Sequence, residues 1–163
     1  MKKVSFAAIL ITTGLFVLLS CGPKESTDLT LTSFIPQPVS VEATGHAFKL
    51  NSSVTVYYEE NVDGLEQTAR YLAAELSRIT GENFNVESAN VTPRSGIFLS
   101  VTTDDNDLGM EGYFLSIGKK LVGIKAKSTA GCFYAAKTFL QTLPVKVAAG
   151  ETLTIPTGTI RDF

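Results

Sequence analysis

The chain has 163 residues, 14 of them basic and 16 acidic, with a single histidine and a formal charge of −2. That length sets one domain with a core of ordinary size as the expectation, and the charge balance gives no footing for a nucleic-acid partner. One histidine and two cysteines exclude a metal cluster built from the usual His and Cys ligands, and no cofactor is implied.

In chain order, the first segment reads as a processing signal. Lys2 and Lys3 form a basic n-region, and Val4 to Leu19 is an apolar run broken only by small polar residues. Residues 1–20 therefore read as a signal peptide outside the fold. Leu18-Leu19-Ser20-Cys21-Gly22 resembles the lipobox of bacterial lipoproteins. The resemblance implies that Cys21 becomes the first mature residue, lipidated on its thiol and amino group, and that two or more acyl chains anchor it stably to a membrane. The expected location is the bacterial cell envelope. Residues 21–33 are polar and read as a flexible tether. With Cys21 used in this way, Cys132 has no partner for a disulfide within one mature chain and reads as a small buried hydrophobe.

Residues 34–163 read as the domain. Phe34 to Val41 is extended, and Pro36 and Pro38 suit a sheet edge rather than a central ladder. Ala47–Leu50 and Val54–Tyr58 read as strands flanking Asn51-Ser52-Ser53. Leu65 to Thr80 is the clearest helix: Leu65, Ala69, Leu72, Ala73, Leu76 and Ile79 fall on one stripe, with Glu66, Arg70, Glu75 and Arg78 opposite. Gly81 supplies its stop. Phe84–Val86 and Ile97–Val101 are short strand patterns.

The central stretch is Gly112 to Leu143. Tyr113, Leu115 and Ile117 alternate as in a strand, Gly118-Lys119-Lys120 turns the chain, and Val122, Ile124 and Ala126 alternate on the way back. Ser128 or Thr129 can cap a second helix, with Gly131 in its first turn to allow close packing on the sheet and Pro144 beyond its end. Ala130, Phe133, Tyr134, Ala136, Phe139, Leu140 and Leu143 give this helix an apolar face too broad for a surface helix. Leu153 to Ile160 reads as a last extended segment leaving the domain. The expected fold is α+β: a mixed, mostly antiparallel β-sheet with two α-helices packed on one face.

Candidate chemistry is sparse. Asp104-Asp105-Asn106-Asp107 is oxygen-rich, as a calcium loop would be, but the twelfth position that an EF-hand reserves for a carboxylate falls on Ser116 or Leu115. A solvated turn is the better account. Glu59 and Glu60 are adjacent, so on a strand they point to opposite faces and cannot converge on one glycosidic bond. His46 has no partner pattern. The chain has no Trp to form a sugar platform; Tyr57 and Tyr58 alternate faces, so one could be exposed. No catalytic, ligand-binding or metal residue is assigned; Cys21 is the one modification site.

Several stretches taken together resemble a known family. These are Ile35-Pro36-Gln37-Pro38-Val39; Leu72-Ala73-Ala74-Glu75-Leu76 running to Thr80-Gly81; Glu111-Gly112-Tyr113; Ala130-Gly131-Cys132-Phe133-Tyr134 with Thr138 to Leu143; and Ile155-Pro156 to Ile160-Arg161-Asp162-Phe163. In order and spacing they are similar to the N-terminal, non-catalytic domain of β-N-acetylhexosaminidases of glycoside hydrolase family 20. That resemblance implies a mixed sheet with two helices on one face, a zincin-like architecture, preceding a (β/α)8 barrel.

In the family the barrel carries an Asp-Glu pair, and the substrate's own acetamido group is the nucleophile, an exception to two-carboxylate hydrolysis. By the same resemblance the catalytic positions lie beyond Phe163, and Arg161 belongs to the domain-closing segment rather than to a sugar site. Cys132 departs from the family, standing where a larger aliphatic residue is expected. Similar domains precede the barrels of O-GlcNAcase-like and α-glucuronidase-like enzymes; Thr80-Gly81 and the Ile160-Arg161-Asp162-Phe163 ending favour the hexosaminidases. The expected function is that of an accessory domain of an exported β-N-acetylhexosaminidase, with the barrel and, through Cys21, the membrane as its partners. A free-standing glycan-binding or purely structural surface lipoprotein is the alternative.

Overall fold

A computed structural model of the chain describes residues 27–104, 107–145, 147 and 152–163. Leu29–Leu31 makes one 3-10 turn capped by Asp28, whose carboxylate accepts from the Thr30 amide at 2.9 Å. Then follow β1 (Ser40–Leu50), β2 (Val56–Glu59), α1 (Leu65–Thr80), β3 (Val86–Ala89), β4 (Gly96–Val101), β5 (Tyr113–Ile117), β6 (Leu121–Ala126), α2 (Thr129–Leu140) and β7 (Leu153–Asp162).

The strands form one sheet in the order β1-β7-β5-β6-β4-β2-β3. β1, β7, β5 and β6 pair antiparallel, whereas β6, β4, β2 and β3 pair in parallel. The mixed α+β sheet with two helices is as expected, but its pairings divide evenly between the two directions. Within the parallel half, α1 carries the chain back along the sheet between β2 and its neighbour β3, the crossover that such a pair requires.

The β5–β6 hairpin stands in the middle of the sheet, and α2 packs over both of its strands. Tyr113, Leu115, Ile117, Val122, Ile124 and Ala126 are buried toward the helices, with the period of two that the sequence shows. α1 buries the expected stripe from Leu65 to Ile79 and ends at Gly81, whose amide donates to the Ser77 carbonyl at 2.8 Å. Ser128 caps α2, accepting from the Gly131 amide at 3.2 Å. A Cβ on Gly131 would lie 2.5 Å from the Gly112 carbonyl oxygen and 2.8 Å from the Ala126 Cβ, so only glycine lets this turn sit so close to the sheet. Thr129 ties the two helix starts together, its hydroxyl donating to the Asp63 carbonyl at 2.8 Å.

Two expectations change. The segment read as a tether to residue 33 is already structured at Leu29, which is fully buried and whose Cδ2 would touch a Cβ placed on Gly158. Its polar neighbours conceal one apolar residue that the space above Gly158 can accept. Finally, β7 does not leave the domain but runs between β1 and β5. Pro156 disguises it, and is tolerated because the β1–β7 register shifts between Ala43 and Ala47, beside the Ala47–Pro156 pair.

Candidate functional site

α2 has two apolar sides. Cys132, Ala135, Ala136 and Phe139 are completely buried against the sheet and α1. Phe133 and Tyr134, expected in the core, instead face outward and are 36% and 42% exposed. The helix is too narrow to turn seven apolar residues toward one sheet, so a second face remains.

That second face forms one wall of a cleft of about 400 Å³. The opposite walls are Ile35 and Pro36, from the segment before β1, and Phe163 after β7. Ile35 is 84% exposed and Phe163 56%. The walls are tied together by specific bonds. The Ile35 amide donates to Gln141 Oε1 at 2.8 Å, which holds the N-terminal segment on α2, and the Val39 amide donates to Asp162 Oδ1 at 3.3 Å. Phe163 is backed by the Arg161 guanidinium, 5.4 Å from its ring centroid.

The floor is Tyr113, whose hydroxyl shares a 2.7 Å hydrogen bond with Thr138 Oγ1 in the interior. Burial pushes the Tyr113 phenol above its ordinary pKa; the Thr138 hydrogen bond opposes that rise and the nearby Asp162 carboxylate adds to it. Outward along the helices, the Phe133 ring lies 5.1 Å from Tyr71 and 6.1 Å from Tyr134, centroid to centroid. Lys137 donates to the Tyr71 hydroxyl at 3.0 Å. Apolar walls, aromatic edges and a polar rim of Glu111, Lys137 and Asp162 make a surface suited to a protein partner. It contains no arrangement of nucleophile, base and oxyanion donors.

The residues weighed for chemistry are scattered. Glu59 Oε2 accepts from the Val101 amide at 2.8 Å and Glu60 Oε1 from the Ser88 hydroxyl at 3.2 Å, so each carboxylate already serves the sheet. His46 lies exposed on the edge strand β1. Asp104 and Asp107 are exposed, with Asp107 Oδ2 3.9 Å from Arg161 Nη2, while residues 105 and 106 lie outside the described residues. Among the described residues no three His, Cys, Asp or Glu side chains come together in a way that could hold a metal. Tyr57 and Tyr58 are both half-buried. Cys132 is buried, and its thiol is pushed up to about 12, first by burial and then by the Glu59 carboxylate, which makes it inert as a nucleophile. Cys21 lies outside the described residues.

The family described as glycosyl hydrolase family 20, domain 2 matches residues 31–163. The chain belongs to that family. This family 20 domain is 26% identical over 162 residues to a β-hexosaminidase of Porphyromonas gingivalis, a match that covers 96% of this chain and 20% of the relative. Among solved structures it is similar to Streptomyces plicatus N-acetyl-β-hexosaminidase in complex with thio-NAglucal, with a TM-score of 0.63 and 29% identity over 78% of this chain and 25% of that one. Flavobacterium johnsoniae chitobiase shares the fold at a TM-score of 0.63 and 23% identity, over 78% of this chain and 20% of that one. The chain thus spans a fifth to a quarter of the proteins it matches.

The cleft residues were not singled out by sequence reasoning, although Ile35-Pro36 and Phe133-Tyr134 stand within the stretches that carry the family resemblance. The usable signal was the apolar breadth of α2: a helix apolar on more than one side needs more than one partner.

Proposed function

We propose that this family 20 domain is the N-terminal accessory domain of an exported, lipid-anchored β-N-acetylhexosaminidase. Its partner is a (β/α)8 barrel, which hydrolyses terminal N-acetylhexosamine residues with retention, using the substrate's acetamido group as nucleophile. The domain contributes no catalytic residue. Its contribution is mechanical: it seats the barrel through the cleft between α2 and the Ile35 segment, and Cys21 fixes the assembly to the envelope.

The observation that carries this reading is the coincidence of an exposed aromatic cleft with a family whose matched members are far longer than this chain. Contiguous exposed apolar surface on an otherwise well-packed domain marks an interaction site. The lipobox-like Leu18-Leu19-Ser20-Cys21 supports the anchor.

Reading the coding frame past the Phe163 codon tests the proposal. An open frame continuing into alternating strand and helix patterns of barrel length, roughly 250 residues, is the expected result, and a stop codon at that point overturns it. In the extended product, Phe133→Ser with Tyr134→Ser should lower the midpoint of thermal inactivation and leave KM for an aryl N-acetylglucosaminide unchanged. An unaltered midpoint would show that the barrel sits elsewhere. For the anchor, incorporation of labelled palmitate should vanish in Cys21→Ser; labelling that persists would remove Cys21 from the account.

A further inference from the structure

A second cleft opens at the opposite end of the sheet, and it differs in chemistry. It has a volume of about 180 Å³, and its rim carries Lys49 of β1 together with Lys119 and Lys120 at the tip of the β5–β6 hairpin. No carboxylate lines it, and none of the three lysines is ion-paired with a described residue. In a chain of formal charge −2, three lysines lining one small opening with no carboxylate among its lining residues stand out.

Backbone bonds hold this convergence in place. The Gly96 amide donates to the Lys120 carbonyl at 2.9 Å, the Ile97 amide to the Thr55 carbonyl at 3.0 Å, and the Gly118 amide to the Leu121 carbonyl at 2.9 Å. The hairpin tip, the start of β4 and the chain entering β2 are thereby locked around the opening. Gly96 has φ +113°, and a Cβ there would come within 2.6 Å of the Thr55 carbonyl oxygen and 3.0 Å of the Tyr57 ring. The glycine therefore lets the Tyr57 ring lie along bare backbone as a flat wall beside the amines.

Like charges gathered on one opening repel one another, and a bound anion relieves that repulsion. With no carboxylate on the lining to offset them, their summed positive field raises the local anion concentration at the opening. The cleft is smaller than the roughly 300–1,000 Å³ of sites that engulf a drug-sized ligand. It has room for one charged group or a single ring. We propose that this cleft binds an oxyanion-bearing group, phosphate, sulfate or carboxylate, held by Lys49, Lys119 and Lys120 with Tyr57 as its apolar wall. The inference is independent of the proposed barrel partner, since it uses neither α2 nor the Ile35 segment.

The test is an NMR titration of the full-length protein with inorganic phosphate, sulfate and glucuronate, with neutral N-acetylglucosamine as control. Saturable shifts confined to Lys49, Lys119, Lys120 and Tyr57, from the anions and not from the neutral sugar, are expected. Lys119→Ser with Lys120→Ser should weaken the response at least tenfold, and Lys49→Ser should do so separately. All three positions are exposed, so these variants keep the fold. A parallel arm uses phosphatidylglycerol vesicles. Vesicle binding displaced by free phosphate would assign the site to lipid headgroups, and its absence alongside saturable anion shifts would assign it to a soluble ligand. Absent or unsaturable shifts, equal shifts with the neutral sugar, or an unchanged response in the lysine variants would overturn the proposal.

Discussion

Tyr113 and Thr138 meet hydroxyl to hydroxyl at 2.7 Å beneath the aromatic cleft, joining the central strand β5 to α2 across the buried layer. Removing one partner of a buried hydrogen bond strands the other at a cost of about 1–3 kcal/mol, more than the bond itself contributes. Tyr113→Phe should therefore destabilise the domain by about 1–2 kcal/mol in urea unfolding. Adding Thr138→Val should cost less than the two single changes summed, because the stranded hydroxyl disappears. Strict additivity would mean that the two groups act separately.

Gly131 should be intolerant of the smallest possible addition. Replacing glycine by alanine inside a helix ordinarily gains about 1 kcal/mol. Here the new methyl meets the Gly112 carbonyl oxygen at 2.5 Å and Ala126 at 2.8 Å, and overpacking of that kind costs about 1–3 kcal/mol. Gly131→Ala should unfold at a lower urea midpoint than the parent, with the far-UV signal of the helices retained. A rise in the midpoint would show that α2 can lift off the sheet without loss.

Leu29 should behave as a core residue although it stands in a stretch that reads as a tether. It is completely buried on the β1–β7 pair. Leu29→Ala should cost about 2–5 kcal/mol, the range for emptying a buried leucine site. The neighbouring Leu31→Ala, at a position 72% exposed, should stay within about 0.5 kcal/mol of the parent. Equal effects at the two positions would contradict the structure.

Phe133 and Ile35 should separate docking from folding. Both are exposed on this chain, so Phe133→Ser and Ile35→Ser should shift its unfolding free energy by no more than about 1 kcal/mol. Because apolar exposure drives association, the same variants should reduce self-association in sedimentation. A large loss of stability would return Phe133 to the core, where its place in the helix pattern suggested it belonged.

Cys132 gives a pH dependence with a definite sign. Its thiol is raised from 9.0 to about 12 in the folded chain, chiefly by burial. Between those values the unfolded thiol has lost its proton and the folded one has not, so unfolding is favoured as pH rises. The contribution is fully present below about pH 9 and is lost toward pH 12, with a slope of at most about 1.4 kcal/mol per pH unit. Tyr113, also raised by burial, adds a loss of the same sign at higher pH than an ordinary thiol. Cys132→Ala should flatten the stability profile above pH 9 relative to the parent, and parallel profiles would show that the thiol plays no part.

Much of this molecule could be read locally. The α1 stripe from Leu65 to Ile79, the Gly81 stop, the β5–β6 alternation and the Ser128 cap are set by neighbours in sequence, and each stands where its residues place it. Residues in one helix or hairpin meet partners a few positions away, so their pattern alone carries the information.

What the residues could not declare was pairing over long separations. Whether Pro156 lies in an exit segment or an interior strand depends on β1, more than a hundred residues earlier, and on an irregularity in β1 that accommodates it. The side that Phe133 and Tyr134 take was undecided for the same reason: α2 is apolar nearly all round, and only the packed sheet fixes which side it covers. Both clefts join segments distant in sequence: Ile35 lines one together with Phe133 and Phe163, and Lys49 lines the other together with Lys119. Local periodicity determined the elements, while burial of one shared core determined their order, their faces and the surfaces left for partners.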